Sequence, residues 1–592
     1  MSASSTSSLA ASASPSQAAA SPAGGITRLE IATKPGLTDA LATATAAQLA
    51  AVLGRTPVLR TRKLYHLDLA LDAARGEPAQ VLAALVDPVC EQGAVGALPD
   101  PAGALRLCVG LRPGVTDAVG RSVQRAAEDR LGRVLPGQVY TSTLYVFEGL
   151  TPAELERAGR ELHNPLIQRV RLEGSPPGAD ALEVPRAGTH AVPHVARVPL
   201  RAADDPTLEQ ISRAGMLALS LAEMAAIRDH FAAAGRDPTD AELECLAQTW
   251  SEHCKHKIFA APITYTDPQG VTREIGRGLF REYIRGATEA VAAARLQAGL
   301  DPAGEPYLVS VFHDNAGVVR FTGEDHLVYK VETHNSPSAL DPYGGAMTGI
   351  VGVNRDSLAT GLGAELLTNV WGYCLGAPDH ADPLPPGLMH PRRIREGVHH
   401  GVIDGGNQSG IPYSRGFELF DARYAGKPLV YCGTVAVMPA RSAGRPTHEK
   451  RAAVGDLVVM LGGRIGKDGI HGATFSSVEL DESSPVQAVQ IGDPITQKMM
   501  ADLLHEAREL GLYSSITDNG AGGLSSSVGE MAGATGGARI DLARAPLKYP
   551  GLAPWEILIS EAQERMTLAV PPAHIDAFLA LARRREVEAS VL

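Results

Sequence analysis

The sequence predicts a multidomain protein of mixed α/β and α+β class: a small duplicated α+β domain in front, a helical linker, then two α/β domains. Three observations carry this expectation. A strand-helix-strand pattern occurs twice near the amino end, the composition is rich in glycine and poor in aromatics, and strand-like and helix-like stretches alternate again after residue 256. With 592 residues the chain has room for several cores, at roughly 100 to 200 residues per domain.

Residues 1–25 are almost entirely Ser, Ala, Pro and Gly and read as a disordered tail, without the basic start and apolar centre of a secretory signal. The duplicated domain is placed at 26–195. Lys34-Pro35-Gly36-Leu37-Thr38-Asp39-Ala40 recurs 78 residues later as Arg112-Pro113-Gly114-Val115-Thr116-Asp117-Ala118. Each copy follows an apolar run, enters a helix-like stretch and later meets a Leu-Tyr pair, Leu64-Tyr65 and Leu144-Tyr145. Such repetition marks two matching strand-helix-strand units. They carry no cluster of catalytic groups and read as a structural module.

The linker is placed at 196–255, after a Pro- and Gly-containing region near 174–205. Asp237-Pro238-Thr239-Asp240 reads as a helix start capped by Thr239 or Asp240, with the helix running to Trp250. It delivers Ser251-Glu252-His253-Cys254-Lys255-His256-Lys257. An α/β domain at 256–440 and a second at 441–592 follow, the latter announced by the strand Leu457-Val458-Val459-Met460-Leu461.

The stretch Lys330 to Asp356 is the chemically richest. On a strand, alternate side chains share a face, so Lys330, Glu332 and His334 project together, with Tyr329 and Val331 turned the other way into a core. The following Gly344, Gly345, Gly349 and Gly352 are expected to let backbone amides approach phosphate. Arg355 suits bidentate phosphate binding and Asp356 suits magnesium. By contrast, Gly463-Arg464-Ile465-Gly466-Lys467-Asp468 fails as a P-loop: Leu461 stands where the first glycine belongs, and Asp468 replaces the hydroxyl residue after lysine. Cys254 reads as a buried small residue; a thiol nucleophile with His253, or a metal ligand with His253 and His256, are the weaker alternatives.

A formal net charge of −12 argues against general affinity for nucleic acid or anionic membrane. No apolar run approaches the roughly 18 residues of a membrane span. Six well-separated cysteines form no Cys-x-x-Cys pair, which points to reducing cytoplasm.

Ser251-Glu252-His253-Cys254, the Lys330 to Asp356 segment, Asp518-Asn519-Gly520-Ala521-Gly522-Gly523-Leu524 and Ser560-Glu561-Ala562-Gln563-Glu564-Arg565-Met566 occur in this order. Together they closely resemble phosphoribosylformylglycinamidine synthase, the amidotransferase of purine biosynthesis, over about residues 200–592. The resemblance implies a pair of aminoimidazole-ribonucleotide-synthetase-like domains, with the front domain similar to two fused copies of the family's small structural subunit. It also implies a carbon-nitrogen ligase that uses ATP to phosphorylate the amide oxygen of formylglycinamide ribonucleotide and lets ammonia displace the phosphate. By position, Lys330 and His256 would contact ATP, Glu332 would bind one magnesium, and Asp356 and Asp518 another. Thr333, His334, Asn335, Ser336, Arg355, Gln490, Glu561, Ala562 and Gln563 would line the substrate site, and His253 and His334 would be the active-site histidines. Ser336, His256 and Ala562 depart from the family pattern, which many members fill with histidine, tyrosine and serine.

No glutaminase nucleophile is visible, so ammonia is expected from a separate glutaminase subunit or from solution. The family's second, similar domain pair is also missing. The chain is therefore expected to leave its terminal strand, Val587 to Leu592, and some apolar surface unpaired, and to meet a second polypeptide or to be a fragment. Two alternatives stand beside the ligase: another acceptor, as in aminoimidazole ribonucleotide or selenophosphate synthetases, and a non-catalytic nucleotide-binding scaffold.

Overall fold

The computed structural model describes residues 25–113, 115, 117–164, 168–173, 194–301, 305–385, 388–467, 469–472 and 492–592. The expected tail at 1–25 lies outside them except for Gly25, as do Gln490 and Asp468. The chain divides into two compact units, Met1–Ala187 and Gly188–Leu592.

The first unit runs β1 (Thr27–Thr33), α1 (Ala40–Leu53), β2 (Val58–Leu69), α2 (Glu77–Leu85), β3 (Glu91–Val95), β4 (Leu105–Leu111), α3 (Ala118–Leu131), β5 (Gly137–Glu148), α4 (Pro152–Leu162) and β6 (Gln168–Glu173). Its sheet has the order β3-β1-β2-β5-β4-β6, so each half repeats one pattern and the long strands β2 and β5 join them from Val58↔Glu148 to Leu69↔Gly137. The caps repeat too. Asp39 caps α1 through the Ala42 N–H and also accepts from the Thr61 N–H at 2.7 Å; Asp117 caps α3 through the Gly120 N–H and accepts from the Thr141 N–H at 2.7 Å. Helices α1 and α3 both end on a left-handed glycine, Gly54 and Gly132, a conformation that costs glycine no Cβ clash. On the helix-covered face, Leu49, Leu107 and Phe147 form one core and Leu67, Val81 and Val123 another.

The second unit opens with the linker helices α5 (Asp205–Ala214), α6 (Leu221–Ala233) and α7 (Asp240–Thr249). Thr239 caps α7, and Glu242 returns the bond to the Thr239 N–H, as the start signal in the sequence predicts. Short helices α8 (Glu252–Lys255) and α9 (Lys257–Ala260) follow, then the hairpin β7 (Ile263–Thr266) and β8 (Thr272–Ile275), and helix α10 (Gly286–Gln297).

The next layer is built from β9 (Leu308–Ser310), β10 (Gly317–Arg320), β11 (Asp325–Thr333), α11 (Asn335–Leu340), α12 (Pro342–Leu358), β12 (Glu365–Leu375), α13 (Pro391–Ser409), β13 (Tyr413–Phe420) and β14 (Leu429–Pro439). The sheet order is β13-β12-β14-β11-β10-β9. One face buries Tyr373, Leu375, Val430 and Cys432 against Ile350 and Val353 of α12 and Val398 of α13. The other face is open. Tyr329 is 51% exposed and Val331 45%, so they lie on that open face and not in the core predicted for them.

A two-residue-strand hairpin, β15 (Arg441–Ser442) and β16 (Arg445–Pro446), leads to the last domain. This contains β17 (Leu457–Gly462), α14 (Pro494–Glu509), β18 (Ser515–Asp518), α15 (Gly523–Ala532), α16 (Pro554–Ile559), β19 (Arg565–Val570), α17 (Ile575–Arg584) and β20 (Ala589–Val591), with sheet order β18-β19-β17-β20. The terminal strand, expected to be unpaired, pairs with β17 from Val459↔Val591 to Leu461↔Ala589, and Leu592 is buried. Three apolar side chains of that segment, Val587, Val591 and Leu592, pack into existing cores, which explains the pairing.

Candidate active site

Strand alternation places the first two groups as predicted. Lys330 and Glu332 both leave β11 toward α12: the Lys330 Nζ is 3.2 Å from Glu332 Oε1 and 2.9 Å from Oδ2 of Asp356 on α12. Arg355, next on the helix, lies 2.9 Å from Asp356 Oδ1 and 3.5 Å from Oδ1 of Asp518 at the end of β18. Three carboxylates thus surround two cations, drawn from both sheet domains. Burial works against the Lys330 ammonium, but Asp356 and Glu332 outweigh it and hold it above the ordinary lysine range. Burial likewise opposes ionisation of Asp356, yet Arg355 and Lys330 keep its carboxyl below the usual range. Glu332 goes the other way: burial, then the Asp356 charge, raises it.

His334 follows β11 and begins α11. Its N–H donates to the Val430 carbonyl at 2.8 Å, and its carbonyl accepts from Ser338 Oγ at 2.5 Å, which fixes the backbone. Burial drops the imidazole to about 4, so it is neutral near pH 7. His253 sits on α8, exposed, and close enough to the cluster to feel the charges of Lys330, Arg355 and Asp356. Enclosure by neighbouring atoms first, then the charges of His256, Lys330 and Arg355, pull it below the ordinary histidine value. The linker therefore carries one histidine to the other's cations.

The expected phosphate cradle is different. Gly344, Gly345, Gly349 and Gly352 are buried within α12. A Cβ at 349 would lie 3.0 Å from the His334 Cβ, and one at 352 would lie 2.9 Å from Gln563 Oε1. These glycines bring a helix against the site side chains; their amides belong to the helix rather than to a loop. Arg355, expected to grip a substrate phosphate, is buried and engaged with Asp356 and Asp518.

Of the remaining candidates, Gln563 adjoins Glu332 across Gly352. Ala562 is buried; its carbonyl accepts from Arg355 at 3.4 Å and its N–H donates to the Asn519 carbonyl at 2.9 Å. Glu561 accepts from the Gly522 N–H at 3.4 Å. Asn335 uses its Oδ1 on the Val430 N–H at 2.9 Å, and Ser336 is buried in α11. Thr333 lies on the strand face opposite Lys330 and Glu332. His256 is exposed, in a left-handed conformation between α8 and α9 (φ 51°). Cys254, expected to be buried, is exposed.

Sequence reading missed Asp314, Asn315, Lys450 and Glu530. Lys450 joins Asp314 at 2.6 Å, Asn315 donates to Asp518, and burial together with Asp518 raises Glu530. Only the polar run His313-Asp314-Asn315 after an apolar strand offered a signal.

Among the described residues, no three His, Cys, Asp or Glu side chains converge to hold a metal ion. The predicted magnesium positions need fewer protein ligands: Glu332 at one, Asp356 and Asp518 at the other. Hard carboxylate oxygens with one more negative than positive charge around them fit that cation.

Residues 208–257 match the formylglycinamide ribonucleotide amidotransferase linker domain, 313–438 the AIR synthase related N-terminal domain, and 453–592 the AIR synthase related C-terminal domain. Over these spans the chain is thus similar to an AIR-synthase-related domain pair preceded by an amidotransferase linker. Within that class the chain is similar to phosphoribosylformylglycinamidine synthase subunit PurL, which bears out the resemblance of its motifs. The subunit from Thermoplasma acidophilum is 38% identical over 396 residues, 66% of this chain and 47% of that protein. That from Mycobacteroides abscessus is 35% identical over 368 residues, 60% of this chain and 43% of that protein. The structure of T. maritima PurL complexed with FGAR aligns over 62% of this chain and 51% of that one, at 30% identity and a TM-score of 0.47. The chain spans about half the length of the curated relatives it matches.

Proposed function

We propose that the chain is an ATP-dependent ligase converting formylglycinamide ribonucleotide to formylglycinamidine ribonucleotide in purine biosynthesis. The observation that carries this reading is the ion cluster in which Lys330, Glu332 and Asp356 of the first sheet domain meet Asp518 of the second through Arg355, with His253 of the linker near enough to feel its charges. Phosphoryl transfer needs positioned charge more than covalent help. Lys330 would hold the nucleotide phosphates, with Glu332, Asp356 and Asp518 as magnesium ligands. Bound magnesium would supply neutralisation of phosphate oxygens.

The amide oxygen would take the terminal phosphoryl group, releasing ADP. Ammonia would then form the carbon-nitrogen bond as the phosphate leaves, and its surplus proton would pass to a neutral imidazole. His334 is neutral and half-buried within reach of the Arg355 charge, the state a base requires. Glu561, Gln563 and Ser336 would orient the substrate.

The partners belong to the same proposal: a glutaminase subunit supplying ammonia, and a second AIR-synthase-like domain pair covering the open sheet face. The front unit, 26–195, would be a duplicated small-subunit module, as its matched caps at Asp39 and Asp117 support. The cytoplasm suits six free cysteines, and no described helix is long and apolar enough to cross a membrane. Coupled ADP release, measured with formylglycinamide ribonucleotide and ammonium on the chain with a co-expressed second domain pair, tests the reading. ADP release that depends on both substrates supports it; ATP binding without such turnover overturns it.

A further inference from the structure

Asn315 stands in the turn between β9 and β10 and belongs to none of the groups assigned above. Its Nδ2 donates to Oδ2 of Asp518, 203 residues away, while the other carboxylate oxygen accepts from the Gly520 N–H at 2.6 Å and faces Arg355 at 3.5 Å. Both oxygens of Asp518 are therefore held. A carboxylate only accepts, so the amide orientation is fixed by its partner: the NH2 end must face Asp518.

The turn carrying Asn315 is itself anchored. Asp314 Oδ1 takes Lys450 Nζ at 2.6 Å and its Oδ2 takes the Gly361 N–H at 2.7 Å; Lys450 also donates to the Ala359 carbonyl at 2.7 Å, at the end of α12. Asp314 ties the turn both to Gly361 after α12 and to Lys450 at the start of the second domain, and Asn315 reaches on to Asp518.

We propose that Asn315 is a positioning residue that aims the Asp518 carboxylate at a divalent cation. The chemistry of the side chain gives the reason. Arg355 neutralises part of the charge of Asp518, and a second cation at position 315 would compete with metal for the rest. A neutral amide orients the carboxylate by a hydrogen bond and leaves its charge available. The proposal rests on the reading of Asp518 as a magnesium ligand.

Mn2+ in the presence of β,γ-methylene-ATP is the probe, with free Mn2+ followed by electron paramagnetic resonance on the full chain. Asn315→Ala is expected to weaken Mn2+ binding about 10- to 100-fold, the usual effect of removing a hydrogen bond to a metal ligand. Its apo crystal structure is expected to show the Asp518 carboxylate turned. Asp518→Asn is expected to lose the Mn2+ held at the position shared with Asp356, leaving the Glu332 position and the nucleotide's own chelation as the baseline. If Asp518→Asn loses Mn2+ while Asn315→Ala binds it like wild type, the inference fails and the functional reading survives. If Asp518→Asn binds Mn2+ normally, both assignments fall together. Thermal midpoints separate the role from a purely structural latch, which would lower the midpoint and leave the Mn2+ affinity of the folded fraction unchanged. Should Asn315→Ala not fold, Asn315→Ser keeps a shorter donor and is expected to bind Mn2+ between the wild-type and Asp518→Asn levels; wild-type binding by it overturns the inference.

Discussion

At the residue scale, the feature that most constrains chemistry is the protonation of His334. With its pKa near 4, the imidazole is a free base throughout the neutral range, so activity limited by it is expected to hold from pH 8 to pH 6 and fall only in more acid solution. The same depression has a stability sign. The unfolded chain's histidine takes its proton near pH 6.5 while the folded one refuses it until about 4, so this group destabilises the fold as pH falls between those values. His334→Ala is expected to abolish formylglycinamide-dependent turnover, by about 100-fold or more, yet retain ATP binding by calorimetry. It is also expected to reduce the acid loss of thermal stability. Equal turnover by the variant would remove His334 from the reaction. Much of this cluster was legible, because strand alternation alone unites Lys330 with Glu332 and the chain carries His334 on directly. What alternation could not show is where long-range partners stand. Arg355 is engaged by Asp356 and Asp518, and Lys450 by Asp314, 136 residues away in sequence.

At the scale of elements, α12 explains why a glycine run that reads as a phosphate loop became a helix. A Cβ at 345 would sit 2.5 Å from the Pro337 carbonyl carbon, and at 401 of α13 the Tyr343 carbonyl stands in the way. Small residues here permit close packing around the site, a tertiary requirement that sequence spacing does not distinguish from a phosphate turn. Gly345→Ala measures the competition. Helix propensity favours alanine by about 1 kcal/mol, but rigid backbone cannot yield as a flexible side chain would. A net loss of about 1–3 kcal/mol is expected in urea unfolding; a gain would show that the backbone relaxes. In the first unit the repeat was legible because the residues that recur are those that cap. Asp39→Ala and Asp117→Ala each remove a cap and two bonds to a neighbouring strand threonine, so each is expected to cost about 2 kcal/mol by calorimetry. Unequal losses would mean that the two halves do not share their stabilisation.

At the scale of the molecule, the decisive fact is the uncovered face of the first sheet domain. Register puts Val331, Gly433 and Val370 side by side, and Phe417 over Gly372, so Tyr329, Val331, Phe417 and Leu419 share the face away from α12 and α13. They are 51%, 45%, 47% and 57% exposed. The sequence marked β11 as a strand but could not tell which side water would reach, because an alternation with an ion cluster on one face leaves apolar residues on the other whether that face is core or interface. Several large apolar side chains on one flat sheet face are characteristic of an interface surface. The chain alone is therefore expected to self-associate, and to exchange that association for a heteromeric complex when a second domain pair is supplied. Val331→Lys with Leu419→Lys places two solvated charges on this face while leaving the Lys330 side of β11 untouched. Multi-angle light scattering is expected to show the double variant as a 62.0 kDa monomer that no longer takes up the added domain pair, with its thermal midpoint within a few degrees of wild type. A wild-type chain that stays monomeric at every concentration and ignores the added pair would show that this face needs no cover, and would withdraw the proposed second domain pair.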